Sequence, residues 1–152
     1  LKWGETCLDR SLGDFAFALW DPRDSKLFCA RDHFGVRLFY YHHQPAQRFV
    51  FASSPQAILV LPKVPYRINE GRVADFLVNE LEWIDYTSSC FEGVFRLPPA
   101  HKLIVTHGRV EVSEYYAPAP GPALGSMSEQ DYEEGFVEVF TQSVEARLRA
   151  PL

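Results

Sequence analysis

The densest cluster of side chains that could do chemistry is Arg31-Asp32-His33-Phe34-Gly35. It follows the apolar run Leu27-Phe-Cys-Ala30. A cation and an anion at the end of a buried strand are costly unless paired. Two roles answer that cost. The pair holds the shape of a loop in which Gly35 takes a positive φ, or the loop lines a pocket. Both roles stay open from the residues alone. Arg31, Asp32 and Gly35 are therefore the candidate site residues, in a loop-shaping role.

Other reactive side chains are scattered. His42 and His43 are adjacent, so in a strand they face opposite ways. His33, His101 and His107 lie far apart, with no Cys or carboxylate at ligand spacing. No metal site is expected. Cys29 sits in an apolar strand and reads as a small core residue. Cys7 and Cys90 have no activating neighbour in sequence, so no catalytic residue is assigned. Gly121 and Gly125 lie in a Pro-rich stretch and not between a strand and a helix, so there is no phosphate-cradling loop.

The elements that must position the cluster are short and apolar. Phe15, Phe17 and Leu19 alternate with Ala16, Ala18 and Trp20, at the period of a strand. Neither face is polar, so this strand is expected to be covered on both sides. Asp21-Pro-Arg-Asp-Ser25 and Gln44-Pro-Ala-Gln47 are turns. The simplest expectation is a meander of four antiparallel strands near 14–21, 26–32, 38–43 and 48–53. Pro55 to Leu61 reads as one or two helical turns. Asn69 caps a helix over 70–80, whose Val73, Phe76, Leu77 and Leu81 form the face laid on a sheet. Phe91–Arg96 and His101–Thr106 read as strands joined by Leu97-Pro-Pro-Ala100, with a further strand over 109–116. Leu1 to Leu12 reads as a helix end and a turn.

Residues 117–128 hold three prolines and two glycines at close spacing and read as a linker. Ser126-Met-Ser-Glu129 matches a capping box. A helix over 129–149 follows, with Tyr132, Phe136, Val139, Phe140, Val144 and Leu148 on one face. It reads as the first element of a second unit.

With 152 residues, 47% hydrophobic and 14% aromatic, the chain is one domain-sized piece. The net charge of −5 and the lack of a Lys/Arg cluster argue against nucleic acid or an anionic membrane as partner. No apolar run reaches the ~18 residues of a membrane helix. Three scattered cysteines make no disulfide framework, which points to a reducing, cytoplasmic setting. The chain opens on Leu and stops at Ala-Pro-Leu after a helical pattern, and is expected to be a piece of a longer protein.

Gly-Asp-Phe-Ala-Phe-Ala-Leu-Trp-Asp at 13–21, Ala-Arg-Asp-His-Phe-Gly at 30–35, Phe-Tyr-Tyr at 39–41, Phe-Ala-Ser at 51–53 and Arg-Leu-Pro-Pro-Ala-His at 96–101 occur in order. Together they resemble the glutaminase domain of glutamine-hydrolysing asparagine synthetases. The resemblance implies an α+β fold, part of a four-layer αββα N-terminal-nucleophile hydrolase sandwich. It implies that 1–116 is the C-terminal part of that domain, 117–128 the linker, and 129–152 the first helix of a synthetase domain. Glutamine and aspartate are the implied substrates, and ATP and Mg belong to the synthetase domain. The family's nucleophilic N-terminal cysteine and its glutamine-binding segments lie upstream of the matching region, so no catalytic or substrate-binding residue is carried over. The missing partners in cis are the N-terminal half of the glutaminase domain and the synthetase domain. The sequence departs from the family at Leu38-Phe39, usually Pro-Leu, and at Ser54, usually Glu. The same plan serves β-lactam synthetases and lasso-peptide cyclases, and a non-catalytic scaffold of this fold is a further alternative.

Overall fold

Alternating apolar residues build two antiparallel hairpins. Ala16–Asp21 (β1) pairs with Lys26–Arg31 (β2), and Tyr40–Gln44 (β3) pairs with Arg48–Ala52 (β4). A computed structural model describes residues 3–78, 84–119 and 127–148. The chain divides into two units, 1–117 and 118–152.

The hairpins do not continue into one meander. Phe95–Arg96 (β5) pairs with β3, while His101–Thr106 (β6) pairs with β2 and with Arg109–Glu114 (β7). The result is a four-stranded sheet, β1-β2-β6-β7, and a three-stranded sheet, β4-β3-β5. The chain changes sheets twice, after β2 and between β5 and β6. Period-two alternation marks which residues pair as strands, but both hairpins satisfy it equally in one sheet or in two.

The sheets bury a core between them. Cys29, Leu103, Phe39 and Leu97 are its fully buried members, with Ala16 and Ala18 of β1 and Tyr41 and Phe49 of the second sheet packed around them. The small face of β1 thus meets the other sheet. Its bulky face carries Phe15 and Phe17 against Phe28, Ala30 and Leu8. Residues 15–18 are thus covered on both faces, and the cover ends toward Trp20, which is 59% exposed. A 3-10 helix, Gly4–Arg10, covers part of that bulky face. It is fastened by Glu5, which accepts hydrogen bonds from Lys26 Nζ at 2.5 Å and Lys102 Nζ at 2.7 Å. On the far face of the second sheet, Ile58 of helix Pro55–Leu59 (α1) packs with Val64, Val94, Tyr40 and Val50.

Three further expectations are corrected. Helix α2, Glu70–Leu77, is capped by Asn69 as expected, but its faces are reversed. Arg72 is only 7% exposed and ion-paired to Asp75 at 3.8 Å, whereas Leu77 is 79% exposed. Periodicity defines two faces of a helix, and the surrounding elements decide which is covered. Leu81 lies outside the described residues. The strand expected over Phe91–Arg96 shrinks to β5, because Gly93 at φ 72° turns the chain and Val94 N–H returns to Phe91 O at 3.3 Å. The helix of the second unit, Glu129–Arg147 (α3), has its capping box at Ser128 and Asp131, two residues beyond the expected pair. Either Ser presents a hydroxyl followed three residues on by a carboxylate, so the sequence pattern fits both. No residue of α3 is buried, and Phe136 and Phe140 stack at 5.8 Å. Among the described residues no helix is long and apolar enough to cross a membrane.

Candidate functional site

The two passages between the sheets, residues 32–39 and 97–100, lie side by side. Arg31 and Asp32 sit at the head of the first and stitch it to the second. The Arg31 guanidinium donates to Arg37 O at 2.7 Å, Leu97 O at 2.6 Å and Gly35 O at 2.5 Å. The Asp32 carboxylate accepts from Val36 N–H and Arg37 N–H, both at 2.9 Å, and from Phe34 N–H at 3.2 Å. Both side chains are deeply buried, Arg31 at 7% and Asp32 at 1% exposure. The expectation that they pair with each other is corrected: no ion pair joins them in the described set, and each is satisfied by backbone. A passage between sheets leaves carbonyls and amides without ladder partners, and charged side chains supply them.

Electrostatics follows from this geometry. Burial pushes the Asp32 carboxyl up, but the three amides and the neighbouring Arg31 outweigh it and hold the group below its ordinary value. Burial lowers the Arg31 pKa, with Asp32 opposing. Gly35 has φ 69°, and a Cβ there would stand 2.8 Å from Pro99 Cγ and 2.9 Å from Arg31 Nη2. Its positive φ is thus present, and so is a close approach that the sequence did not signal.

The second passage adds three backbone ties. Leu97 N–H donates to Phe39 O, Ala100 N–H to Asp32 O, and Tyr115 N–H to Ala100 O, each at 2.9 Å. Ala100 holds φ 57° to do so. Tyr115 Oη donates to Arg31 O at 2.8 Å, and burial with the Asp32 charge pushes this phenol up to about 12. Above the first passage opens a cleft of about 540 Å³ lined by Asp14, Phe15, Ala16, Val36, Arg37, Leu38 and Ser53. The cleft residues were not singled out by sequence reasoning. Leu97-Pro-Pro-Ala100 was the available signal for the second passage, since two prolines cannot serve a continuous ladder.

The remaining candidates are placed elsewhere. His42 and His43 do face opposite ways, with His42 Nδ1 at 2.7 Å from Gly93 O and His43 Nε2 at 3.0 Å from Gly108 O. His101 Nδ1 is 2.7 Å from Pro99 O. Among the described residues no group of three or more His, Cys, Asp and Glu is arranged to hold a metal. Cys29 is fully buried, and burial pushes its thiol up to about 12. It is a core residue. Ser54, where the resemblance has Glu, is the N-cap of α1 and accepts from Ala57 N–H at 3.4 Å.

Two antiparallel sheets joined through a clasped double passage make residues 1–117 an α+β unit. Residues 1–116 match the glutamine amidotransferase domain family, and the chain belongs to it. It is 31% identical over 116 residues to glutamine-hydrolysing asparagine synthetase 3 of Bacillus subtilis, covering 76% of this chain and 19% of that protein. It is 30% identical over 115 residues to a putative glutamine-hydrolysing asparagine synthetase of Methanocaldococcus jannaschii, covering 76% of this chain and 22% of that one. The amidase chry2 of Gibberella zeae is 28% identical over 155 residues, covering 97% of this chain and 22% of the amidase. The chain spans about a fifth of the length of these relatives.

Proposed function

We propose that the chain is the C-terminal part of the glutaminase domain of an ATP-dependent, glutamine-hydrolysing asparagine synthetase, followed by a linker and the first helix of the synthetase domain. The observation that carries this is the family match over 1–116 to chains named for glutamine hydrolysis and asparagine synthesis. The finer fold reading, a four-layer αββα N-terminal-nucleophile sandwich, draws support from helices packed on the outer faces of two stacked sheets. The unit boundary at 117/118 and an alignment that runs through α3 support the domain plan.

In the whole protein, glutamine gives glutamate and ammonia in this domain. Ammonia then attacks an activated aspartate carboxylate in the next, with ATP and Mg consumed there, in the cytoplasm. The part played by the described residues is architectural. Arg31 and Asp32 fix the loop that floors the cleft. ATP and Mg find no fit among them: the strand-to-helix passage after β4, Ala52 to Pro55, has no glycine, and no metal-holding cluster is present. No step through either is assigned to this chain.

A polypeptide of these 152 residues alone is expected to be inactive. Hydrolysis of the family type needs a thiolate beside a base and donors aimed at the oxyanion. Cys29 is buried, and an internal cysteine has no free α-amine. The test takes the complete protein with glutamine, aspartate and Mg-ATP. Glutamate, asparagine and pyrophosphate in near-equal amounts support the reading. Glutamate without asparagine moves the ammonia to another acceptor carboxylate. No glutamate release overturns it, in favour of a ligase that joins a substrate amine, as in the lasso-peptide cyclases or β-lactam synthetases, if pyrophosphate still forms, and of a scaffold if it does not.

A further inference from the structure

We propose that His33 is a positioning residue that ties the clasped passage and its cleft to the point where the chain leaves the first unit. The inference rests on the proposed reading for its functional meaning and on geometry for its existence. His33 stands between elements far apart in sequence. Its ring centroid lies 6.3 Å from Phe15, 5.4 Å from Tyr115 and 4.6 Å from Tyr116, edge-on in each case. Edge-to-face contacts of this kind are directional and hold rings in place.

Each neighbour of that ring belongs to a different function. Phe15 lines the cleft. Tyr115 is bonded to the clasp itself, through Arg31 O at 2.8 Å and Ala100 O at 2.9 Å. Tyr116 is the last aromatic before Ala117, where the first unit ends. A molecule in the cleft that presses on Phe15 therefore presses on His33, and through it on the start of the linker. Two antiparallel sheets need no such contact for their core, since His33 and Tyr116 belong to none of the buried clusters. The arrangement fits a coupling role: under the proposed reading the complete domain holds glutamine, and its arrival at the cleft sets the order of residues 115–117.

The experiment uses the complete protein and three variants, His33→Ala, Tyr116→Ala and His33→Phe. Amide exchange at Tyr115, whose N–H donates to Ala100 O at 2.9 Å, is measured with and without L-glutamine. Loss of the edge contacts is expected to speed exchange there by about tenfold in His33→Ala and Tyr116→Ala, and His33→Phe restores protection. In parallel, glutamate released per amide product is counted. Tyr116→Ala is expected to waste glutamine, with that ratio rising about twofold or more, while its glutaminase turnover stays within about twofold of the parent. Unchanged exchange in Tyr116→Ala overturns the tie, even if His33→Ala fails to fold. Faster exchange with an unchanged product ratio overturns the coupling role. Absence of glutaminase in the parent protein overturns the proposed function instead, and the exchange measurement still decides the tie.

Discussion

Arg31 Nη1 donates to Leu97 O at 2.6 Å across a sequence separation of 66 residues. That bond spans the two passages by which the chain changes sheets. Removing the guanidinium takes its donors from one buried carbonyl, Leu97 O, and two part-buried ones, Gly35 O and Arg37 O, at once. Arg31→Met is expected to cost about 3–5 kcal/mol. Arg31→Lys, with donors on a single point, is expected to cost roughly 2 kcal/mol, because an ammonium cannot span a three-way fork. Urea denaturation of the complete protein, followed by tryptophan fluorescence, measures both. Equal stability of parent and Arg31→Met would remove the clasp from the account.

Asp32 predicts a pH dependence. Its folded pKa lies below its ordinary value. Stability from the carboxylate is then fully present above the unfolded pKa of about 3.9 and is lost as pH falls through the folded one. The urea midpoint is expected to drop below about pH 4 for this reason. Asp32→Asn puts an NH₂ against backbone donors, costs about 1–3 kcal/mol at pH 7, and flattens that acid limb. A parallel acid limb in the variant would assign the loss to other groups.

Gly35 and Ala100 make a matched pair of tests. Both hold positive φ, at 69° and 57°. Gly35→Ala combines that strain with a methyl 2.8 Å from Pro99 Cγ, so it is expected to cost more than the roughly 1 kcal/mol of backbone strain alone. Ala100→Gly relieves strain and is expected to change stability by less than about 1 kcal/mol. Thermal unfolding of the two variants beside the parent decides. A larger loss for Ala100→Gly would reverse this ordering.

Thiol labelling should separate the cysteines. Cys90 is exposed and Cys29 buried with its thiol pushed up to about 12. Iodoacetamide at pH 8 on the native protein is expected to modify Cys90 within minutes and leave Cys29 untouched until denaturant is added. Peptide mass spectrometry reads the sites. Rapid native labelling of Cys29 would contradict its place in the core.

Much of the local structure was legible in the residues. The paired hairpins follow from alternation and turn chemistry, and the cap at Asn69 follows from a side chain that accepts an amide. The change of sheet was not legible. It depends on Leu97 and Ala100 returning to residues 31–39, and no local pattern at Arg31 reports a carbonyl so distant. The α2 helix shows the same limit, since Phe76 and Leu77 announce an apolar face but not whether anything covers it. At the candidate site, Arg31 and Asp32 were legible as an anomaly of buried charge and Gly35 as a turn, whereas Phe15 and Ser53 were legible only as motif residues and Arg37 not at all until the passage placed them around one cleft.

The double passage also imposes a timetable. A ribosome adding about 5–20 residues per second makes Leu97 some 3–13 s after Arg31, given their separation of 66. Hairpins form in microseconds, so β1–β2 is ready long before its guanidinium has all of its acceptors. For those seconds the nascent chain carries a cation short of one of its three backbone acceptors, at the end of a sheet whose β2 edge still awaits β6. The waiting edge is open to any strand that arrives first, and β3 is made before β6. Slower translation between residues 53 and 97 would lengthen that window, and soluble yield of the whole protein should fall with it.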